Sequence, residues 1–376
     1  MKKIQMVDLV SQYEKIKPEI ETAINGVMTS AAYINGPEVK AFQSELETYL
    51  NVKHVIPCAN GTDALQIALM ALGLKPGDEV ITSDFTFAAT VEVVKLLNLT
   101  AVLVDVERDT FNISIDSLEK AITPNTKAII PVHLFGQCSN MDAVMEVAEK
   151  HNIFVVEDTA QGIGAKYTSK DGSTKSAGCI GNIGTTSFFP SKNLGCFGDG
   201  GAIFTNDDDL ALVLRSIVNH GMGERYYYDR VGVNSRLDSI QAAILRVKLR
   251  QLDTYIENRQ RAAKYYSDFF SQIDGVEVPK ISDFSTHVFH QYTLKIDGIN
   301  QFEAQKFMNK KGIPAMIYYP MPLHTQKAYD AEKYNHSDFK VTNELCKCVL
   351  SLPMHTELDN EQLAYITESL KEYLTK

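Results

Sequence analysis

The chain has 376 residues, of which 44% are apolar and 22% charged, and a formal net charge of −10. That is enough for a large buried core and two domains, with the composition of an ordinary soluble globular protein. The acidic balance excludes a nucleic-acid partner, which needs a basic face, but not a phosphorylated small molecule, which a helix start can bind without net charge.

The N-terminal MKKIQMVDLVSQYEK has two lysines but no apolar h-region, so no secretory leader is expected. No stretch approaches the length of a membrane span. A helix is predicted over 14–29. Farther on, short apolar runs alternate with amphipathic segments. The runs HVIPC (54–58), DEVIT (78–82), AVLVDV (101–106), KAIIPV (127–132), IFVVED (153–158), IGTTSFF (183–189) and GAIFTN (201–206) are predicted strands. The segments DALQIALMALG, ATVEVVKLLN, SLEKAI and MDAVMEVAEKHN are predicted helices, and Gly73 and Pro76 mark one helix end. Such alternation predicts an α/β fold with a mostly parallel central sheet covered by helices on both faces. From Val233 the pattern becomes one long helical stretch, NSRLDSIQAAILRVKLRQLDTYIENRQRAAKYYSDFF, read as a helix linking two domains. Beyond it HVFHQYTLKI and IPAMIYY read as strands, with helices around 300–311, 338–350 and 359–374. The expected organisation is a large α/β domain over 14–234, then the linking helix and a smaller α+β domain over 235–376, which helix 14–29 could join. The six cysteines (58, 138, 179, 196, 346, 348) are scattered and form no C-x-x-C. Cys346 and Cys348 read as packing residues, so no metal site is expected and the compartment is taken as reduced and cytosolic.

Four segments carry chemistry. In ANGTDALQIAL (59–69) a strand gives way to a helix at Asn60-Gly61-Thr62-Asp63, where small residues let a phosphate reach free N–H groups and Thr62 can add a hydroxyl. By itself this reads first as an ordinary N-cap. In VVEDTAQGIGA (155–165) an apolar strand ends in Glu157 and Asp158, followed by Gln161. A carboxylate there suits a buried cation or a ring nitrogen, or merely caps the next turn. In SFFPSKNLGCFGDGGA (187–202) Lys192 also follows a strand, among aromatic residues, proline and glycines. A lysine withdrawn from water has a lowered pKa and becomes nucleophilic, as Schiff-base chemistry requires. Most lysines are solvated instead, but this setting is poor in other charge. In VGVNSRLDSIQAAIL (231–245) Asn234 and Arg236 precede the long helix, and Arg236 is a candidate clamp for an anion or a salt-bridge partner of Asp238.

Together these residues fit one cofactor, pyridoxal 5'-phosphate. It needs an amine for its aldehyde (Lys192), a carboxylate for its ring nitrogen (Asp158), a phosphate cradle (Gly61, Thr62) and aromatic cover, which Phe87 in DFTFAAT can give.

These motifs, with GPEVKAFQSELETYL, GDEVITSDFTFAAT, PVHLFGQC, VNHG and SLPMH, resemble the DegT/DnrJ/EryC1/StrS family of nucleotide-sugar aminotransferases, of aspartate aminotransferase fold type I, over nearly the whole chain. The resemblance implies that Lys192 holds the cofactor aldehyde and shuttles the proton. By the same resemblance Asp158 pairs with the pyridine nitrogen, Gln161 lies against the ring and its 3-hydroxyl, and Phe87 stacks on it. Gly61, Thr62 and Ser187 would hold the phosphate, and Asn234 would reach it from a neighbouring subunit of a homodimer. Arg236, Tyr318 and Tyr319 would meet the sugar nucleotide. The implied reaction moves the amino group of L-glutamate to a keto-sugar. SFFPSKNLGC, GVNSRLDSIQAAIL and YYPMPL are most similar to the branch that aminates C3 of UDP-2-acetamido-2-deoxy-3-oxo-D-glucuronate for lipopolysaccharide O-antigen. Two positions depart from that branch: Tyr318 stands where relatives have histidine, and Asn193 where proline is common. The alternatives are a dTDP-3-oxo-6-deoxyhexose or a 4-oxo sugar as acceptor.

Three other classes compete with this reading. A related sugar dehydratase replaces the lysine by histidine, against Lys192. A nicotinamide oxidoreductase needs a Rossmann fingerprint, but GIGAKY lacks its third glycine and GCIGNIG follows no apolar strand. A regulator would need a DNA-binding appendage, for which the acidic chain has no spare segment.

Overall fold

The computed structural model describes residues 2–329 and 331–375. The seven apolar runs form one sheet: β1 (His54–Cys58), β2 (Glu79–Ser83), β3 (Thr100–Val104), β4 (Thr126–Ile130), β5 (Phe154–Asp158), β6 (Ile183–Ser187) and β7 (Gly201–Thr205). Their order is β1-β7-β6-β5-β4-β2-β3. Neighbours from β6 to β3 pair in parallel, and β7 runs antiparallel to both β6 and β1. Successive residues of a strand point to opposite faces. Val55, Ile81, Ile129 and Val155 accordingly enter one buried cluster, and Ile56, Val80, Ile130 and Val156 the other. Helices cover both faces, among them α2 (Pro37–Leu50) on the first and α3 (Gly61–Ala71) on the second. The fold is the expected α/β one.

The N-terminal helix is longer than predicted. α1 (Leu9–Ser30) starts at Asp8, whose side chain accepts the Ser11 N–H. Its Ile16 and Ile20 pack on Ile244 and Val247, so it docks on the linking segment.

The predicted single linking helix is two, α4 (Ser239–Leu249) and α5 (Leu252–Phe270). The two helices together serve two cores, and the change of core falls within α5 rather than at the break. Ala242, Leu245 and Leu249, with Leu252 and Ile256 at the start of α5, join the large sheet's cluster. Ala262, Ala263, Tyr266 and Phe270 join a separate cluster with the C-terminal elements. Asn234 lies outside the helix, bridging to Asn219.

The C-terminal part holds a small antiparallel sheet, β8 (Val276–Glu277), β9 (Tyr292–Ile296) and β10 (Val349–Leu352). HVFHQYTLKI yields only β9, because Phe289 adopts φ 45° and turns the chain before it. IPAMIYY is not a strand: Met316 alone bridges to Ser351, and Tyr318 is thus not at a strand end. The helix predicted over 338–350 is Lys340–Cys348, since the apolar Val349–Leu352 is recruited as β10. Helices Gln301–Lys310 and Asn360–Leu374 form as predicted.

Candidate active site

Loops leaving the carboxyl ends of β1, β2, β4, β5 and β6 line a cleft of about 930 Å³, closed from the other side by residues 317–329. Ligands of open α/β sheets bind at this edge. Gly61, Thr62, Phe87, Asp158, Gln161, Ser187, Lys192, Tyr318 and Tyr319 all line it. Asn234 and Arg236 do not, and Asn234 is exposed.

At the β1–α3 junction Asn60 is both a cap and a cleft residue: its side chain accepts the Asp63 N–H at 2.8 Å. The start of α3, with its unpaired N–H groups and positive dipole end, faces the cleft through Gly61 and Thr62. A Cβ on Gly61 would stand 2.6 Å from the Cβ of Ser187, so glycine is what lets these two loops meet. Gly61→Ala is therefore expected to push the loops apart and weaken pyridoxal phosphate binding roughly tenfold or more, the scale of overpacking. Titration of the cofactor-free protein by visible absorbance checks this, and an unchanged affinity would contradict it.

The two carboxylates at the end of β5 part company. Glu157 is fully buried and faces away from the cleft. Its oxygens accept the N–H groups of Gly178 (3.0 Å), Ile180 (2.7 Å) and Gly181 (2.6 Å) and the Nε2 of His133 (2.8 Å). His133 Nδ1 accepts the Ser139 N–H, so its ring proton belongs on Nε2. Burial would raise the Glu157 carboxyl, but His133 and the backbone donors outweigh it and hold the group below its usual range. Asp158, one residue on, faces the cleft at 8% exposure. Its Oδ1 accepts the Ala160 N–H at 3.0 Å, and its Oδ2 has no hydrogen bond among the described residues. Burial raises this carboxyl, opposed by Ala160 and by the charge of Lys192.

Lys192 sits in a tight turn after β6, its N–H donating to Phe189 O at 2.8 Å. A Cβ on Gly195 would stand 2.4 Å from Pro190 O, so this glycine serves the turn's own close approach rather than that of a ligand. Nζ makes no hydrogen bond or ion pair among the described residues. Burial lowers the amine to about 8, against the opposing pull of Asp158. More of it is then neutral near neutral pH than of an ordinary lysine, and the neutral form is the one that attacks an aldehyde.

The walls complete the site. Gln161 is fixed at both ends, accepting the Phe135 N–H at 2.7 Å and donating to the Tyr319 hydroxyl at 3.3 Å. Phe87 leaves 60% of its surface open at the cleft. Tyr318 bonds to the Gln291 side chain, and burial raises its phenol. Asn193 is buried and donates to Val288 O at 3.0 Å, away from the cleft. Sequence reasoning missed Thr86, Phe189, His290 and the 320–329 wall. Phe189 lay within the quoted lysine motif and was legible. His290 and residues 324–329 come from a distant part of the chain and give no local signal, whereas 320–323 fall within the quoted YYPMPL.

An amine without a partner, a buried carboxylate with a free oxygen, a helix start opened by Gly61 and an exposed ring together suit pyridoxal phosphate. On this sheet they define a pyridoxal-phosphate-dependent transferase of aspartate aminotransferase fold type I. The chain belongs to the DegT/DnrJ/EryC1/StrS aminotransferase family, which matches residues 14–371, and it is a sugar-nucleotide aminotransferase. It is 45% identical to a UDP-2-acetamido-2-deoxy-3-oxo-D-glucuronate aminotransferase of Pseudomonas aeruginosa, over 98% of this chain and 99% of that one. It is 44% identical to a pleiotropic regulatory protein of Geobacillus stearothermophilus, over 98% of each. A crystal structure of a family aminotransferase from Brucella abortus matches with a TM-score of 0.93 at 40% identity, over 99% of this chain and all of that one.

Proposed function

We propose that the chain moves the amino group of L-glutamate to C3 of UDP-2-acetamido-2-deoxy-3-oxo-D-glucuronate, making an aminosugar for lipopolysaccharide O-antigen in the cytoplasm. The observation that carries this reading is the full-length similarity to the Pseudomonas enzyme of that name. Among the described residues no helix is long and apolar enough to cross a membrane.

Pyridoxal phosphate, when bound, supplies an aldehyde that carries the amino group and a ring that takes up electrons. In this reading Lys192 is the amine that holds the aldehyde. Its Nζ would also be placed to move one proton within each half of the reaction, taking it from one carbon and delivering it to another. Asp158, its second oxygen free, keeps the ring nitrogen protonated. Gly61, Thr62 and Ser187 hold the phosphate at the start of α3. Phe87 would cover the ring, and Gln161, clamped by Phe135 and Tyr319, would serve its 3-hydroxyl. Tyr318 and Tyr319 meet the sugar. Asn234 and Arg236 lie outside their own chain's cleft, which favours a homodimer in which each subunit lends them to the other. The proposal keeps a cofactor-binding body over 14–234 and a smaller one over 235–376, although the packing of α4 favours a boundary nearer Ile256.

A panel of acceptors tests the substrate. The enzyme is treated with L-glutamate, freed of the excess, and offered one keto-sugar nucleotide at a time while visible absorbance is recorded. Return of the absorbance with the UDP-linked 3-oxo-uronate alone is expected. Return with a 4-oxo sugar would keep the transaminase and overturn C3; return with a dTDP-3-oxo-6-deoxyhexose alone would overturn the uronate.

A further inference from the structure

Among the described residues of 320–339 there are four single 3₁₀ turns, Leu323–Thr325, Lys327–Tyr329, Ala331–Lys333 and His336–Asp338. Met321, Leu323, Gln326, Ala328 and Tyr329 of this segment form one wall of the cleft. A wall with so little regular backbone bonding needs side-chain ties to keep its shape.

Asp84, just after β2 and three residues before Phe87, supplies them. Its Oδ1 accepts the His324 N–H at 2.6 Å, its Oδ2 pairs with His324 Nδ1 at 2.7 Å, and its carbonyl accepts the Leu323 N–H at 3.4 Å. Asp84 is 1% and His324 2% exposed. The carboxylate fixes the ring proton on Nδ1, which leaves His324 Nε2 as an acceptor for His336 Nδ1, 2.8 Å away. The His324 ring stacks on Phe339 with centroids 4.2 Å apart, and Asn343 holds the His336 carbonyl at 2.8 Å. Neither Asp84 nor His324 lines the cleft. Burial raises the Asp84 carboxyl, opposed by its bonds to His324.

We propose that the Asp84–His324–His336 chain is a latch that positions the 321–329 wall against the nucleotide-sugar substrate. Asp84 and His324 are then positioning residues for the acceptor half of the reaction and not for the donor half. The distinction follows from size: an amino acid reacts at Lys192 on the floor of the cleft, whereas a nucleotide sugar needs the outer walls as well. The inference rests on the sugar-nucleotide aminotransferase reading.

Two holoenzyme variants test it. Asp84→Asn keeps the volume but sets an amide N–H against the Nδ1–H of His324. His336→Ala removes only the exposed end of the chain, where the fold tolerates loss. Asp84→Asn is expected to raise KM for UDP-2-acetamido-2-deoxy-3-oxo-D-glucuronate roughly tenfold, the scale of a charged hydrogen bond. His336→Ala should act in the same direction by less. In both, amide hydrogen exchange at 323–329 should quicken while the single-turnover reaction with glutamate keeps its rate. Unchanged KM and exchange in both variants would overturn the latch, as would a glutamate step slowed as much as the sugar step. A wild-type enzyme that glutamate does not convert would sink the aminotransferase reading instead, and the exchange comparison alone would then decide the latch.

Discussion

Lys192→Ala is expected to lower turnover by at least ~10³-fold, because one side chain both holds the cofactor and moves the proton. The loss should be chemical rather than structural. Nζ has no partner to leave behind among the described residues, and the folded amine titrates near 8 against 10.5 for the ordinary value. A lysine whose folded pKa is depressed destabilises the fold while it is charged in both states, below about 8. That penalty fades as pH rises through the window between the two values. The cofactor-free variant should accordingly match or exceed the wild type in denaturant midpoint at pH 7, with the difference shrinking toward pH 10. A variant that unfolds at pH 7, or one that keeps full turnover, would contradict this.

Glu157→Leu is expected to be the most damaging substitution for stability, at about 3–5 kcal/mol, because it strands a cluster of buried donors. The N–H groups of Gly178, Ile180 and Gly181 and the His133 ring would all lose their acceptor. The effect has a pH signature. The Glu157 carboxyl lies below its ordinary value of 4.5 in the folded state. Its contribution is therefore complete above the unfolded value and is lost as pH falls through the folded one. The gap in denaturant midpoint between wild type and variant should be widest above pH 5 and narrow below pH 4. Denaturant titrations of the cofactor-free proteins at fixed concentration measure it, and a gap that is constant with pH would rule out the buried carboxylate as its source.

Most of the site was legible because its signals are local. Lys192, Asp158 and Gly61 each sit where an apolar run of a few residues stops, and a parallel sheet brings such stops to one edge. The same periodicity separates Glu157 from Asp158, turning one carboxylate to the cleft and the other away from it. What escaped depends on contacts between distant segments. Nothing in the Leu/Ile spacing marks the break between Leu249 and Leu252, and the change of core between Ile256 and Ala262 depends on the C-terminal elements that α5 meets. IPAMIYY has the composition of a strand but meets only Ser351 across the sheet. Asp84 and His324 lie 240 residues apart in sequence, so their bond cannot be read from either neighbourhood.

The measurement that bears most directly on the central claim uses the holoenzyme alone with L-glutamate. If the chain is a glutamate-dependent aminotransferase acting through Lys192, the visible absorbance of the bound cofactor falls and 2-oxoglutarate appears in equal amount. An absorbance that glutamate leaves untouched, with no 2-oxoglutarate formed, would contradict it.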